Sequence, residues 1–134
     1  MIVVDTNVIA AFHLVTDRTP EAYALLRRDP DWAAPRLWRS EFRNVLVTQV
    51  RLASLPPQRA VRLMSAAESL MEGNDHEVSS SAVLELASAS GCTAYDCEFV
   101  ALAESLGVPL VTFDRKVLRA FPEIATSPEA YLRS

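Results

Sequence analysis

Residues 2–7, Ile2-Val3-Val4-Asp5-Thr6-Asn7, decide how the chain is read. Three β-branched residues in a row, without polar alternation, mark a strand covered on both faces, as strands of parallel sheets are. An acid follows at once. A second such stretch, Pro109-Leu110-Val111-Thr112-Phe113-Asp114, lies far along the chain and also ends in an acid. Between the two, apolar residues recur at helical spacing. Strands that alternate with helices build an α/β fold, with helices covering both faces of a parallel sheet. The expected architecture is a three-layer α/β/α sandwich with a mostly parallel central sheet.

The remaining elements follow from these two anchors. A short helix is predicted over 8–13 and another over 19–28, the latter opened by Thr19-Pro20-Glu21 and closed by Pro30. Trp32-Ala33-Ala34 is a weak strand ending at Pro35. Two long amphipathic helices, 36–52 and 56–72, are divided by Pro56-Pro57 and stopped by Gly73-Asn74. Further along come a short strand at His76-Glu77-Val78, helices over 82–89 and 95–106, a short helix from Asp114 to Ala120, an edge strand over 122–126 and a last turn from Pro128. No linker, repeat or low-complexity segment interrupts the 134 residues, so residues 1–134 are expected to form one domain.

Composition removes several chemistries. Half of the residues are apolar and 22% are charged, which excludes a disordered chain. No apolar run approaches the ~20 residues of a membrane span, and the N-terminus lacks the basic flank of a signal peptide, so a cytoplasmic protein with no membrane partner is expected. Three glycines cannot build a phosphate-cradling loop. His13 and His76 stand too far apart for a zinc motif, and Cys92 and Cys97 read as reduced core thiols. Net charge is −4, but residues 18–62 carry nine arginines against four acids. Such a segment fits either a local polyanion-binding face or ordinary solvated helix faces.

Four acids sit where core building alone would not put them. Asp5 and Asp114 each follow a strongly apolar strand, at the sheet edge where open α/β proteins place ligands. Glu41 lies four residues from Leu37 and from Val45, on a helix face shared with apolar residues. Asp96 adjoins Phe99 and Val100 at the start of another helix. Each has a structural alternative: an Asx-turn at Asp5, an N-cap at Asp114, a capping box over Thr93-Ala94-Tyr95-Asp96, and a pairing of Glu41 with Arg36, Arg39 or a neighbour from another helix. Taken together, two carboxylates ~5 Å apart repel by roughly 3 kcal/mol at an effective dielectric of ~20. Oxygen donors of this kind suit a hard cation such as Mg²⁺ or Mn²⁺, beside which a phosphodiester is hydrolysed.

Four blocks carry a resemblance: Ile2-Val3-Val4-Asp5-Thr6-Asn7-Val8-Ile9, Glu41 within Leu37–Leu46, Tyr95–Ala103, and Pro109–Asp114. In this order and spacing the chain resembles the PIN-domain ribonucleases, and among them the VapC-type toxins of toxin–antitoxin pairs. The resemblance implies an Mg²⁺- or Mn²⁺-dependent endoribonuclease whose catalytic and metal-binding residues are Asp5, Glu41, Asp96 and Asp114. It places Asn7 and Thr112 in supporting roles and leaves Glu98 either near the metal or as a solvated first-turn acid. It also implies an RNA substrate such as transfer or ribosomal RNA, a homodimer, and a cognate antitoxin that silences the site. Tyr95 is expected to pack rather than react.

Arg36, Arg39, Arg43, Arg115 and Lys116 are the candidate RNA-binding cations. The amphipathic pair 36–52 and 56–72 offers more apolar surface than one small sheet can cover, which suits an antitoxin interface, unless the two helices simply pack on each other. A receiver-type phosphotransfer domain also gathers acids at strand ends, but it needs a strand-end lysine, and the sole lysine, Lys116, follows Asp114 instead. A catalytically silent PIN-like module that only binds RNA or a partner is the other alternative; it would be favoured by loss of an acid, and all four are present.

Overall fold

A computed structural model describes residues 1–134. The two anchor strands form as their β-branched runs require: β1 (Ile2–Val4) and β4 (Leu110–Val111) are buried throughout and pair in parallel, Val3 opposite Leu110. With β2 (Trp32–Pro35), β3 (Asp75–His76) and β5 (Ala125–Thr126) they complete a sheet in the order β3-β2-β1-β4-β5. Every neighbouring pair is parallel, so the sheet is wholly rather than mostly parallel.

Helices α1 (Thr6–His13), α2 (Thr19–Arg28), α3 (Leu37–Leu52) and α4 (Pro57–Leu70) lie on connections that step from β1 out to β3. Helices α5 (Ser80–Ser90), α6 (Ala94–Leu106) and α7 (Arg115–Ala120) lie on connections that step back through β4 to β5. Right-handed crossovers therefore place the two groups on opposite faces of the sheet, giving the three layers. The packing agrees: α1 meets α2 and α3, α3 meets α4, and α6 lies on β1, β2 and β4 with α5 beside it. Helix α8 (Pro128–Arg133) returns to pack against α2. The direction of winding reverses between β1 and β4, and the crevice beyond the C-terminal ends of those two strands is where such sheets take ligands.

Some element bounds differ from expectation for local reasons. Helix α1 begins two residues early because Asp5 caps it, accepting the Thr6 N–H. Helix α5 likewise starts at Ser80 because the Ser79 hydroxyl caps it. Strand β3 is Asp75–His76 rather than His76–Val78, since its partner β2 ends at Pro35, opposite His76. Val78 packs against the core instead. Strand β5 shrinks to two residues, paired with Leu110 and Val111.

The core runs from the sheet into α3 through Trp38, Phe42 and Leu46, all buried. Phe42 is the neighbour of Glu41, so its burial fixes where that acid emerges; truncation to alanine would cost about 3–5 kcal/mol. Cys92 and Cys97 are free buried thiols in a small cluster with Val83 and Ala101. No helix is long and apolar enough to cross a membrane.

Candidate active site

One half of the site grows out of β1 and β4. The sheet ladder continues one residue past β1, with the Asp5 N–H donating to the Val111 carbonyl at 3.0 Å. The Asp5 carboxylate thus emerges at a defined height above the sheet. Its Oδ1 accepts from the Thr6 N–H (2.7 Å) and its Oδ2 from the Thr112 hydroxyl (2.7 Å). Thr112 is fully buried, and its oxygen also accepts from Asn7 Nδ2 (3.2 Å) and the Asp114 N–H (3.0 Å). Asn7 in turn accepts the Phe113 N–H through Oδ1. Asp114 caps α7, its Oδ1 accepting from Lys116 N–H and Val117 N–H. The capping reading of Asp114 therefore holds alongside its position at the sheet edge, whereas Asp5 caps α1 through the N–H of the next residue and does not close the expected Asx-turn, which takes the N–H two residues on.

The other half comes from two helix starts. Glu41, in the second turn of α3, accepts from the Thr6 hydroxyl at 2.6 Å. Its alternative ion-pair partners are occupied elsewhere: Arg36 meets Glu77, and Arg39 meets Glu68 and Asp75. Asp96 lies in the first turn of α6, where only half of a capping box forms. Its N–H donates to Thr93 Oγ1, while its carboxylate accepts no hydrogen bond. Tyr95 is 62% exposed at the rim, not packed as expected. Asp5, Glu41, Asp96 and Asp114 all line one cavity of about 650 Å³, together with Thr6, Asn7, Ser40 and Asn44.

The electrostatics follow from this crowding. The Asp5 carboxyl is pushed up to about 6, chiefly by burial; its bonds from Thr112 and Thr6 oppose the rise, and the charges of Glu41 and Asp96 add to it. Glu41 is also raised, again by burial first, with Asp96 and Glu98 adding and the Thr6 bond opposing. As the side chains stand, no three His, Cys, Asp or Glu donors converge in metal-holding geometry. Asp5, Glu41 and Asp114 are turned instead toward hydroxyls and amides, and the Asp96 carboxylate is left free. The donor set is nonetheless all oxygen, partly buried and mutually repelling, which is the chemistry a hard divalent cation relieves.

The cations are more dispersed than the sequence suggested. Arg39 is clamped by Glu68 and Asp75, which ties α3 to α4 and β3, and its guanidinium lies over Trp38. It is thereby committed to holding the fold together, and its charge is already balanced. Arg36 is exposed and pairs with Glu77 at 3.4 Å. Arg43 lines a groove between α3 and α4 and does not line the acidic cavity. Arg115 and Lys116 are exposed on the first turn of α7, directly after Asp114. Glu98 lines a second cavity, beside the acidic one. Sequence reasoning gave no role to Thr6, which binds both Asp5 and Glu41, because a threonine after an aspartate at a helix start is ordinary capping. It also passed over Arg18, whose guanidinium sits 4.5 Å above the Phe113 ring.

Comparison with known proteins agrees with this fold. The family model for the PIN domain matches residues 2–124. Ribonuclease VapC3 of Pyrobaculum aerophilum is 30% identical over 129 residues, covering 93% of this chain and 98% of that protein. The crystal structure of PAE2754 from the same organism superposes with a TM-score of 0.78 at 26% identity, covering 98% of this chain and 93% of that one. FitAcB from Neisseria gonorrhoeae (TM-score 0.72, 19% identity, 96% and 99% covered) and FitAB bound to an IR36 DNA fragment (0.74, 18%, 96% and 95%) share the fold. With a family match over nearly its whole length and a near full-length relative, this chain belongs to the PIN-domain family, as a homologue of a VapC ribonuclease.

Proposed function

We propose that this chain is an Mg²⁺- or Mn²⁺-dependent endoribonuclease and the toxin of a toxin–antitoxin pair, acting on cytoplasmic RNA such as transfer or ribosomal RNA. The observation that carries the reading is the meeting of four acids from four distant segments, Asp5, Glu41, Asp96 and Asp114, in one cavity at the point where the sheet reverses its winding. The name of the VapC3 relative supports the reaction class. The four carboxylates would hold the ion. The chemistry a divalent ion supplies there is Lewis acidity, for activating water and for charge on the leaving oxygen of a phosphodiester. Thr112 and Asn7 orient Asp5 and the start of α7, and Arg115 and Lys116 at the rim bind the RNA backbone.

Partner binding falls to α3 and α4. These helices do pack on each other, yet they leave a groove of about 420 Å³ lined by Val47, Val50, Ala60, Val61 and Met64, with Val61 65% exposed. An amphipathic antitoxin helix or a second copy of the chain fits such a surface. The reaction is tested by incubating total RNA with the purified protein in Mg²⁺, Mn²⁺ or EDTA. Cleavage is expected with either metal and is expected to vanish in EDTA and in Asp5→Asn. Cleavage that persists in EDTA with both Asp5→Asn and Asp96→Asn in place overturns the reading. RNA binding without cleavage, and without heat of metal binding in calorimetry, replaces it with a silent binding module.

A further inference from the structure

A second cavity, of about 430 Å³, opens beside the acidic one. The two share a ridge made by the starts of α3 and α6. Leu37 and Asp96 line the acidic side, while Arg36 and Glu98 line the other. Glu98 follows Asp96 by two residues on α6, so that one stretch of helix supplies an acid to each cavity. A strand held with one phosphate among the acids therefore has an adjoining base within reach of the second cavity. Its volume lies in the ~300–1,000 Å³ range of small-ligand pockets. Its walls are Val78, Val83 and Leu84, the last 62% exposed, an apolar surface against which a flat ring can lie.

The polar groups of this cavity are short of partners. The Glu98 carboxylate is partly buried and makes neither a hydrogen bond nor an ion pair. His76 lines the same cavity, and its Nε2 is buried without a partner. Arg36 has only its exposed 3.4 Å contact with Glu77. A carboxylate accepts and cannot donate, and a guanidinium donates and cannot accept. Guanine answers both in bidentate fashion: N1–H and N2–H stand side by side for a carboxylate, and O6 and N7 accept from an arginine, whereas cytosine offers a carboxylate only its N4 amino group. Adenine turns the N1 acceptor toward the carboxylate, and uracil flanks its single N3–H with two carbonyls. Unpaired RNA bases are read on these edges.

We infer that this cavity is a guanine-binding subsite for the RNA strand, with Glu98 accepting from the Watson–Crick edge and Arg36 donating to O6 and N7. The inference rests on the ribonuclease reading and adds base selectivity to it. The test uses synthetic single-stranded RNAs that carry guanosine or inosine at one position beside the cleaved bond; inosine lacks the N2 amino group. Wild type should prefer guanosine over inosine by about tenfold in kcat/KM. Glu98→Gln, with a matching melting curve, should bring that ratio to about one, and Arg36→Ala should lower activity on both substrates. A ratio near one in wild type, or one retained in Glu98→Gln, overturns the subsite while leaving the nuclease reading standing. Fluorescence anisotropy of the same RNAs with Asp5→Asn protein, without divalent ion, reads the ratio independently of cleavage. A guanosine preference in binding, with no cleavage by wild type in any metal, overturns the nuclease reading and supports the subsite.

Discussion

The two halves of the acidic cavity are built differently. On the β1–β4 side, Asp5, Asn7, Thr112 and Asp114 share five hydrogen bonds with one another and with the neighbouring backbone N–H groups of Thr6 and Phe113, and the hub, Thr112, is wholly buried. On the α3–α6 side, Glu41 has one bond and the Asp96 carboxylate has none. The difference is one of origin. A strand end in a parallel sheet places its side chain by the sheet's own ladder, whereas a helix start places it only by the packing of that helix. The site thus pairs a fixed wall with an adjustable one, and a cation entering it has free carboxylate to gather on the helix side.

The sharpest way to break this comparison is to neutralise one acid from each wall. Asp5→Asn and Asp96→Asn are each expected to lower metal-dependent RNA cleavage by more than the roughly 10–100-fold typical of groups that only support a metal ligand. They should part in stability. Asp5 binds its proton more tightly folded, at about 6, than unfolded, near 3.8. Between those values the folded state holds more protons, so stability falls as pH rises from about 4 to 6 and then levels. The loss is up to about 3 kcal/mol in the absence of divalent ions. Denaturant melts in EDTA from pH 4 to 8 should show this decline in wild type and Asp96→Asn, with a flatter profile in Asp5→Asn. Identical slopes in all three would mean that Asp5 is not held in the buried network.

Thr112→Val comes next and attacks the fixed wall through its hub. It removes the donor to Asp5 and strands Asn7 Nδ2 and the Asp114 N–H without an acceptor. Leaving such buried groups unpaired costs about 1–3 kcal/mol, read as a lower urea midpoint at unchanged slope. Cleavage should fall roughly 10–100-fold, with a higher Mg²⁺ requirement, as when the groups that orient a metal ligand are lost. A drop in stability with an unchanged metal requirement would make the network structural only.

The same contrast governs what could be read from the sequence. The fixed wall was legible because its cause is local: Ile2-Val3-Val4 and Leu110-Val111 can hardly be anything but buried parallel strands, and the residue after each lands on the same sheet edge. Glu41 and Asp96 were legible as polar intrusions on apolar helix faces. Their partners were not. That Arg39 is consumed by Glu68 and Asp75 depends on how α4 and β3 settle against α3, a packing outcome without a local signature. Tyr95 misled for a related reason: an aromatic beside a buried helix face reads as core, but the turn of α6 aims it over the cavity rim. Strand β3 was misplaced because Val78 has the stronger β preference, while the register is set by where β2 stops.

Thr6 joins the two walls, its N–H on Asp5 and its hydroxyl on Glu41, and the smallest expected effect on cleavage belongs there. Thr6→Val keeps the volume of a buried side chain and the N–H to Asp5, and removes only the bond to Glu41. A hydrogen bond to a charged group contributes about 1.5–3 kcal/mol, so a modest fall in stability follows. The bond also lowers the Glu41 pKa, against the burial that raises it. Without it Glu41 holds its proton to higher pH, and the acidic limb of the pH–activity profile moves up. The loss of cleavage should be greatest on the acidic side of the profile and shrink as pH rises, while the Asp5-linked decline in stability, set chiefly by burial, changes little. That split, a shifted activity limb over an unshifted stability slope, requires the walls to titrate through separate contacts. If both curves moved together in Thr6→Val, the two walls would be one coupled unit and the distinction between them would fall.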